Sequence, residues 1–370
     1  MGIAVWRGYT KKAAPAPAVV EEKDVNFYDY DGTLVASYSA ADFANLSALP
    51  ANPSHEGLVA EGWNWTLADA KTYVAANGKL NIGQMYHTAS GKTEYDVEIN
   101  EATGMTATLG LSGTEKDWGD GTIDTNETHT YAAAGYYTIK MGGTTLPSIQ
   151  SSKKIRAVRI ASGVTSIGDS VFLNCRLLQS VTIPSSVTSI VSSAFVQCYS
   201  LQSITIPNGV TVIDGNMFYA CYSLQSITIP NGVTVIGGNA FYACFALKSV
   251  TMPSSVTDIS ISAFNYCYSL QSITIPNGVT SIGNSSFSYC SSLQSVTIPS
   301  SVISIYQGAF SNSIWLTIVT VLATTPPTLS NTNAFPSSVT KIYIPNGTLA
   351  AYQAATNWSS FSSKFVELPA

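Results

Sequence analysis

The chain has 370 residues, of which 45% are hydrophobic and 11% are charged, and its formal net charge is −5. This length predicts two or three domains, with enough apolar residues to form their cores. The negative net charge, without a basic stripe to neutralise phosphates, argues against nucleic acid as a partner. No run approaches the roughly 18 apolar residues of a membrane-spanning helix, so no membrane span is predicted.

Residues 1–24 are expected to form a tail or linker. Alanine and proline alternate over residues 13–18, which is typical of an extended, semi-rigid segment. Two interpretations stay open: a disordered end, or an attachment peptide that becomes ordered on a partner. In the second interpretation Val5, Trp6 and Tyr9 are the anchors.

Residues 25–91 are predicted to form a small α+β unit. Asp31-Gly32 lies between two alternating runs and predicts a β-hairpin. Thr66 and Gly78 are suited to cap the two ends of a helix. The predicted elements are strands over 25–30, 33–38 and 80–86, and helices over 40–49 and 66–76.

The hairpin carries FYDYDGTLV (27–35), which resembles the first motif of haloacid-dehalogenase-type phosphatases. The resemblance implies Asp29 as nucleophile, Asp31 as acid/base and Mg²⁺ between them. That family needs a doubly wound sheet of well over 100 residues, so a simple turn is favoured and a phosphatase is a distant alternative. With EGWNWTLADAK (61–71), the segment also resembles repeat-containing phage and gut-bacterial proteins.

Residues 92–143 are predicted to be an all-β domain. The blocks DWGDGT (117–122), THTY (128–131) and GYYTI (135–139) follow in order and resemble the signature of the PKD domain. The resemblance implies an immunoglobulin-like β-sandwich that serves as a spacer or binding module. The expected roles are a tight turn for Gly119 and Gly121, core positions for Tyr131 and Tyr137, and a structural hydrogen bond for His129.

A 23-residue repeat fills residues 144–345, and LQSITIPNGVTSIGNSSFSYC (270–290) is its clearest copy. A strict period of this length indicates a solenoid in which each coil packs on its neighbours. The V/I-T-I-P stretch of each coil predicts one short strand, ended by proline, and these strands are expected to stack in a parallel sheet. Two columns mark the period: the cysteine column (Cys175, Cys198, Cys221, Cys244, Cys267 and Cys290) and the phenylalanine column (Phe172, Phe195, Phe218, Phe241, Phe264, Phe287 and Phe310).

The pattern LxxhxIPxxVtxIgxxAFxxC resembles the BspA-like, or Treponema-type, leucine-rich repeat over about half of the chain. This resemblance implies an adhesion or binding protein of a bacterial surface or a phage particle. Residues 346–370 are predicted to cap the solenoid with a helix over 348–358, because an open coil exposes apolar core and an unpaired strand edge. The predicted fold is therefore multidomain: an α+β unit, a PKD-like β-sandwich, a leucine-rich-repeat solenoid and a C-terminal cap.

No catalytic, cofactor or metal site is predicted. The three histidines are scattered, and no nucleophile–base pair or phosphate-binding glycine loop is evident. The cysteine column is expected to be reduced and packed in the core, because stacked side chains do not converge on a metal ion. Ser313 replaces the next cysteine in line, as a packing position tolerates.

Two surfaces of the solenoid are candidate binding sites. The first is a pair of serine and threonine files on the exposed face of the sheet, although such residues also suit an exposed sheet without any ligand. The second is a tyrosine-rich ridge, because aromatic residues favour interfaces. The candidates are Ser180, Thr182, Ser203, Thr205, Ser226, Thr228, Ser249, Thr251, Ser272, Thr274, Ser295 and Thr297 in the files, and Tyr199, Tyr222 and Tyr268 in the ridge.

The expected function is non-enzymatic binding or adhesion on a particle surface. No targeting segment is evident, so a phage virion is the first expected location, and a bacterial cell surface or secretion is the alternative. The expected partners are virion structural proteins at the N-terminus and a host glycan or protein at the repeats. A homo-oligomer and a purely structural spacer role stay open.

Overall fold

The computed structural model describes residues 23–102 and 104–369, and the described chain begins with a four-stranded mixed sheet and two helices. The strand order is β2-β1-β4-β3, with β1 antiparallel to β2 and parallel to β4. We call residues 23–91 the N-terminal unit. Its elements are β1 (Val25–Tyr28), β2 (Leu34–Tyr38), α1 (Ala40–Ala44), β3 (Leu58–Trp63), α2 (Leu67–Asn77) and β4 (Leu80–Thr88).

Each predicted strand and helix of this unit corresponds to an element of the structure, with changed bounds. Thr66 caps α2 by accepting a hydrogen bond from the Asp69 amide, and Gly78 ends the helix at φ 80°. Helix α1 is shorter than predicted, because the Asn45 N–H turns back to the Asp42 carbonyl in a tighter turn. The sequence also missed β3, since its half-buried residues carry no clear two-residue period.

A six-stranded sheet joins the next segment to the solenoid. Its centre is β5, which pairs antiparallel with both β10 and β11, and β11 pairs in parallel with the first repeat strand, Ser180–Thr182. A second sheet pairs β6 with β9. The strands are β5 (Thr93–Ile99), β6 (Thr106–Thr108), β7 (Lys116–Asp117), β8 (Ile123–Asp124), β9 (Thr128–Thr130), β10 (Gly135–Met141) and β11 (Ile155–Arg159).

The turn between β7 and β8 shows the expected local structure. Gly119 and Gly121 have φ of 81° and 96°, and a Cβ at Gly119 would lie 2.6 Å from the Thr138 carbonyl oxygen. His129 makes a 2.7 Å hydrogen bond from Nε2 to Oδ2 of Asp120. Of the two tyrosines expected in the core, Tyr131 is buried and Tyr137 is half-buried. Kinship with the PKD domain stays a prediction.

Two separate hydrophobic cores stabilise the described chain. One belongs to the N-terminal unit and contains Phe27, Phe43 and Trp63. The other runs without interruption from β5 through the solenoid to the C-terminal cap, and includes Trp118 and Trp358. The segments on either side of the predicted boundary at residue 143 thus share a core.

Each solenoid coil carries up to two short parallel strands, where the sequence predicted one. The expected sheet is broken, because residues 203–205 form no strand and residues 272–274 contribute only a Thr274–Thr297 bridge. Strands at the predicted stretch are Ser180–Thr182, Ser226–Thr228, Ser249–Thr251, Ser295–Ile298, Ile318–Val321 and Lys341–Ile344. The second set is Ser166–Ile167, Ser189–Ile190, Val212–Ile213, Val235–Ile236, Asp258–Ile259, Ser281–Ile282, Ser304–Ile305 and Thr328–Leu329.

The columns of the repeat form the core of the solenoid. Neighbouring rings of the phenylalanine column stack with centroids 5.1 to 5.5 Å apart. From Cys198 onward each thiol donates to the carbonyl oxygen of the phenylalanine 26 residues earlier, as Cys244 does to Phe218 at 3.2 Å. Ser313 makes the equivalent bond to Phe287 at 2.9 Å. This column is therefore a packing position, as predicted.

The C-terminal segment closes the last coil. Phe335 lies two residues off the 23-residue period, yet its ring stacks on Phe310 at 5.7 Å. Trp358 and Tyr352 are fully buried beyond it and continue the core. The helix is shorter than the predicted range. The elements here are a 3₁₀ turn (Thr332–Ala334), α3 (Leu349–Ala354), a 3₁₀ helix (Trp358–Lys364) and a strand (Phe365–Glu367) parallel to Lys341–Ile344.

Candidate functional site

The serine and threonine files of the repeats lie side by side on one face of the solenoid, and we call them the hydroxyl ladder. The N-terminal unit lies across the first part of this face, with β4 against the strands Ser180–Thr182 and Ser226–Thr228. The covered ladder consists of Ser180, Thr182, Ser203, Thr205, Ser226, Thr228, Ser249 and Thr251. The open ladder consists of Ser272, Thr274, Ser295 and Thr297, all of which are exposed.

The covered ladder is not the free surface that the sequence predicted. Thr182 retains 3% of its exposure, and Thr228 and Thr251 retain 8% each. The remaining members are half-buried. The reason is the docking of the N-terminal unit, which a repeat pattern does not reveal.

The docking centres on one residue of β4. Leu80 donates its N–H to Asp24 on the β1 side, so strand alternation directs the N–H and C=O of Asn81 to the opposite side. There Thr228 Oγ1 donates to the Asn81 carbonyl oxygen at 2.5 Å, and Thr251 Oγ1 accepts from the Asn81 N–H at 3.3 Å. Two hydroxyls of adjacent coils therefore satisfy both backbone groups of one extended residue.

Further contacts position the N-terminal unit along the coils. Gly83 fits because it has no side chain: a Cβ there would lie 2.5 Å from Oγ1 of Thr205. Ser203 Oγ donates to the Tyr30 carbonyl oxygen at 3.1 Å. At the first coil, the Glu61 carboxylate accepts from the Ser185 N–H.

A polar cavity of about 210 Å³ opens where the β1–β2 hairpin meets the solenoid. Asp31 from the hairpin and Lys248 from the solenoid both line it. Lys248 is the exception in a file otherwise occupied by glutamine, of which Gln202 and Gln225 line the same cavity. The cavity is thus bounded by amides, hydroxyls and one charge of each sign.

The coil after the open ladder exposes three apolar side chains. Ser295 pairs with Ile318, which takes the serine position and is 37% exposed. Ile314, which falls at the repeat position of Tyr268, and Trp315 are 62% and 65% exposed. Exposed apolar side chains of this size are typical of interfaces.

The tyrosine ridge is brought together as one aromatic stack. Tyr199, Tyr222, Phe245 and Tyr268 stack in sequence, with centroids 4.4, 4.6 and 5.1 Å apart. The Arg176 guanidinium lies 5.0 Å from the Tyr199 ring centroid. Only Tyr268 is more than one third exposed, at 40%. Much of the ridge is therefore committed to stacking between coils.

The phosphatase-like motif forms a hydrogen-bonded cluster. Asp29 is 6% exposed; its Oδ2 lies 2.6 Å from His55 Nε2, and its Oδ1 accepts from the Tyr86 hydroxyl at 3.0 Å. Asp31 Oδ1 accepts from the Thr33 N–H within the turn. Burial and the neighbouring Asp29 raise the pKa of Tyr86. The sheet around them is four-stranded and mixed, unlike the doubly wound sheet that the motif requires.

The cysteine column is buried and reduced. Burial raises the pKa of Cys175 to about 12 and that of Cys198 well above its ordinary value. Across residues 23–102 and 104–369, no group of three or more His, Cys, Asp or Glu side chains is arranged to hold a metal ion. No helix in the same ranges has the length and apolar character needed to cross a membrane. The predicted anchors Val5, Trp6 and Tyr9 lie outside the described residues.

Among solved structures, the chain is similar to several leucine-rich repeat proteins. A protein from Bacteroides ovatus is 22% identical, with 58% of this chain and 72% of that one covered and a TM-score of 0.34. A T. pallidum protein is 26% identical (49% and 79% covered, TM-score 0.35). A leucine-rich cell surface protein of Faecalibacterium prausnitzii is 24% identical (60% and 76% covered, TM-score 0.30). No curated protein matches the chain.

The repeats themselves match a family model. The model describes the BspA type leucine-rich repeat region, and it matches residues 148–271 and 257–364 with six copies. These ranges cover more than half of the chain, and they contain both the packed columns and the hydroxyl ladder. The chain therefore belongs to the BspA-type leucine-rich repeat family.

Proposed function

We propose that this chain is a non-enzymatic binding or adhesion protein, and that the open ladder is its contact surface. The observation that carries the proposal is the difference between the covered and the open ladder. Thr228 and Thr251 are occupied by a polypeptide, whereas Thr274 and Thr297 have the same chemistry and face solvent. Ile318, which is exposed at the next position of the serine file, adds apolar area to this surface.

The location that we propose is the surface of a phage particle, with a bacterial cell surface as the alternative. The N-terminal unit resembles repeat-containing phage and gut-bacterial proteins, and this resemblance and the BspA-type family support both locations. In this proposal residues 1–24 attach the chain to virion proteins, and the repeats face a host glycan or protein.

Two measurements test the proposal. Antibody labelling of particles and cells from the source culture should find the repeats outward on one of them. Retention of the purified chain on host cells should fall in Thr297→Arg, which blocks the open ladder, and persist in Thr280→Arg, an exposed threonine of the neighbouring coil outside the ladder. Equal retention of both variants would refute the assignment of this surface.

A further inference from the structure

The covered ladder is a protein–peptide contact inside one molecule, and it displays which ligand chemistry the hydroxyls accept. Its ligand is an extended strand edge: one residue, Asn81, offers a free N–H and a free C=O, and two threonines of adjacent coils bind them. The residue two positions on, Gly83, has no side chain where it passes Thr205. Backbone groups and a gap for a glycine therefore define this contact.

The spacing of strand and coils accounts for both contacts of β4. An extended strand rises roughly 3.3 Å per residue and stacked strands are about 4.8 Å apart, so two residues, which direct their backbone groups to the same side, span roughly one and a half coils. The observed contacts agree, since Asn81 lies between Thr228 and Thr251 while Gly83 lies at Thr205. One residue held by two hydroxyls therefore brings the next residue of the same side close to the hydroxyl of the adjoining coil.

The open ladder carries the same pair of groups. Thr274 and Thr297 are bridged as neighbours in parallel register, and both are exposed. Ser272 and Ser295 lie beside them, as Ser226 and Ser249 lie beside Thr228 and Thr251.

We infer that the open ladder binds an extended polypeptide segment of a partner protein, with the N–H and C=O of one residue held by Thr274 and Thr297. Ile318 replaces a serine at the far side of the ladder, so an apolar side chain of the segment is favoured there. This inference rests on the proposed function and specifies its ligand class.

The probe is a synthetic peptide of residues 79–86, KLNIGQMY, which contains the strand edge that the covered ladder already binds. Binding to the full chain is measured by fluorescence anisotropy up to millimolar peptide. Thr274→Val with Thr297→Val removes both hydroxyls at nearly constant shape and should weaken binding about tenfold or more. The matched control, Thr257→Val with Thr280→Val, changes exposed threonines outside the ladder and should leave binding unchanged.

The outcomes separate the two levels of the proposal. No peptide binding at millimolar concentration, or binding that is equal in both double variants, overturns the inference. If a glycan binds in a Thr274- and Thr297-dependent manner while the peptide does not, the inference fails and the proposed function stands. If neither ligand class nor host cells respond to these two threonines, the proposed function fails as well.

Discussion

Removal of two hydroxyls should release the N-terminal unit from the solenoid. The perturbation is Thr228→Val with Thr251→Val, which keeps the shape of the covered ladder and deletes the donor and the acceptor that face Asn81. Both backbone groups of Asn81 are then left at the interface without their hydroxyl partners. The two cores are separate, so the solenoid itself should remain folded.

The expected change in the free energy of undocking follows from the two hydrogen bonds that the double variant removes. Each contributes about 1 kcal/mol net to docking, so the loss of both lowers the free energy of undocking by about 2 kcal/mol. Because 1.4 kcal/mol corresponds to a factor of ten, the open population should rise about 30-fold. Thr228→Val alone removes the bond to the Asn81 carbonyl and should produce about a fivefold rise.

Native-state hydrogen exchange of the Asn81 amide is the readout, because this N–H points at the solenoid and exchanges when the unit undocks. The single Thr228→Val variant is informative, since it leaves the acceptor of this N–H in place and acts on it only through docking. Thr274→Val with Thr297→Val is the control and should not alter exchange at Asn81. Unchanged exchange of the Asn81 amide in the Thr228/Thr251 double variant would refute the reasoning. A loss of global stability as large as the loss of docking free energy would refute it as well.

Three further predictions address other parts of the fold. Arg159→Ala should destabilise the segment between β5 and the first coil by about 3 kcal/mol in urea unfolding, because it leaves the buried Glu94 carboxylate without its 3.0 Å partner and removes both contacts to Asp96; a loss below about 0.5 kcal/mol would contradict this. The cysteine column should resist thiol reagents in the native state and react fully in denaturant. Burial raises the pKa of Cys175 from 9.0 to about 12, which makes its reactive thiolate about a thousandfold scarcer. Fast labelling of the native chain would contradict the packing. Hydrogen bonds, foremost from the Trp118 indole, lower the pKa of Asp124 in the folded chain. The stability that this carboxylate contributes is therefore fully present above its unfolded pKa near 4, and it is lost as the pH falls through the lower pKa of the folded state. Asp124→Asn should therefore be less stable than the parent chain at pH 7 and converge with it at strongly acid pH, as followed by thermal unfolding.

The sequence predicts the solenoid well because its period is a packing constraint. A phenylalanine every 23 residues fixes the ring stack. Ser313 takes the next position of the cysteine column, and in the structure it keeps the hydrogen bond of that column by donating to the Phe287 carbonyl oxygen. The same logic fails at Phe335, which is out of register by two residues and still joins the stack. A 3₁₀ turn directly before it takes up part of this segment, and no period announces such a turn. The second strand of each coil was missed because two residues are too few to show alternation.

The burial of the covered ladder could not be predicted from the sequence, for a different reason. Thr228 and Thr274 occupy the same position of the repeat, and only one of them is buried, so no property of the repeat distinguishes them. What distinguishes them is the reach of β4, and its contacts come from the backbone of Asn81, which any non-proline residue supplies. Gly83 is a trace of the contact that the sequence does carry, because glycine inside a strand marks a place where another chain approaches closely. Recognition through the backbone places few requirements on the sequence of the bound segment. For the same reason we propose a segment of another protein, rather than one particular sequence, as the ligand of the open ladder.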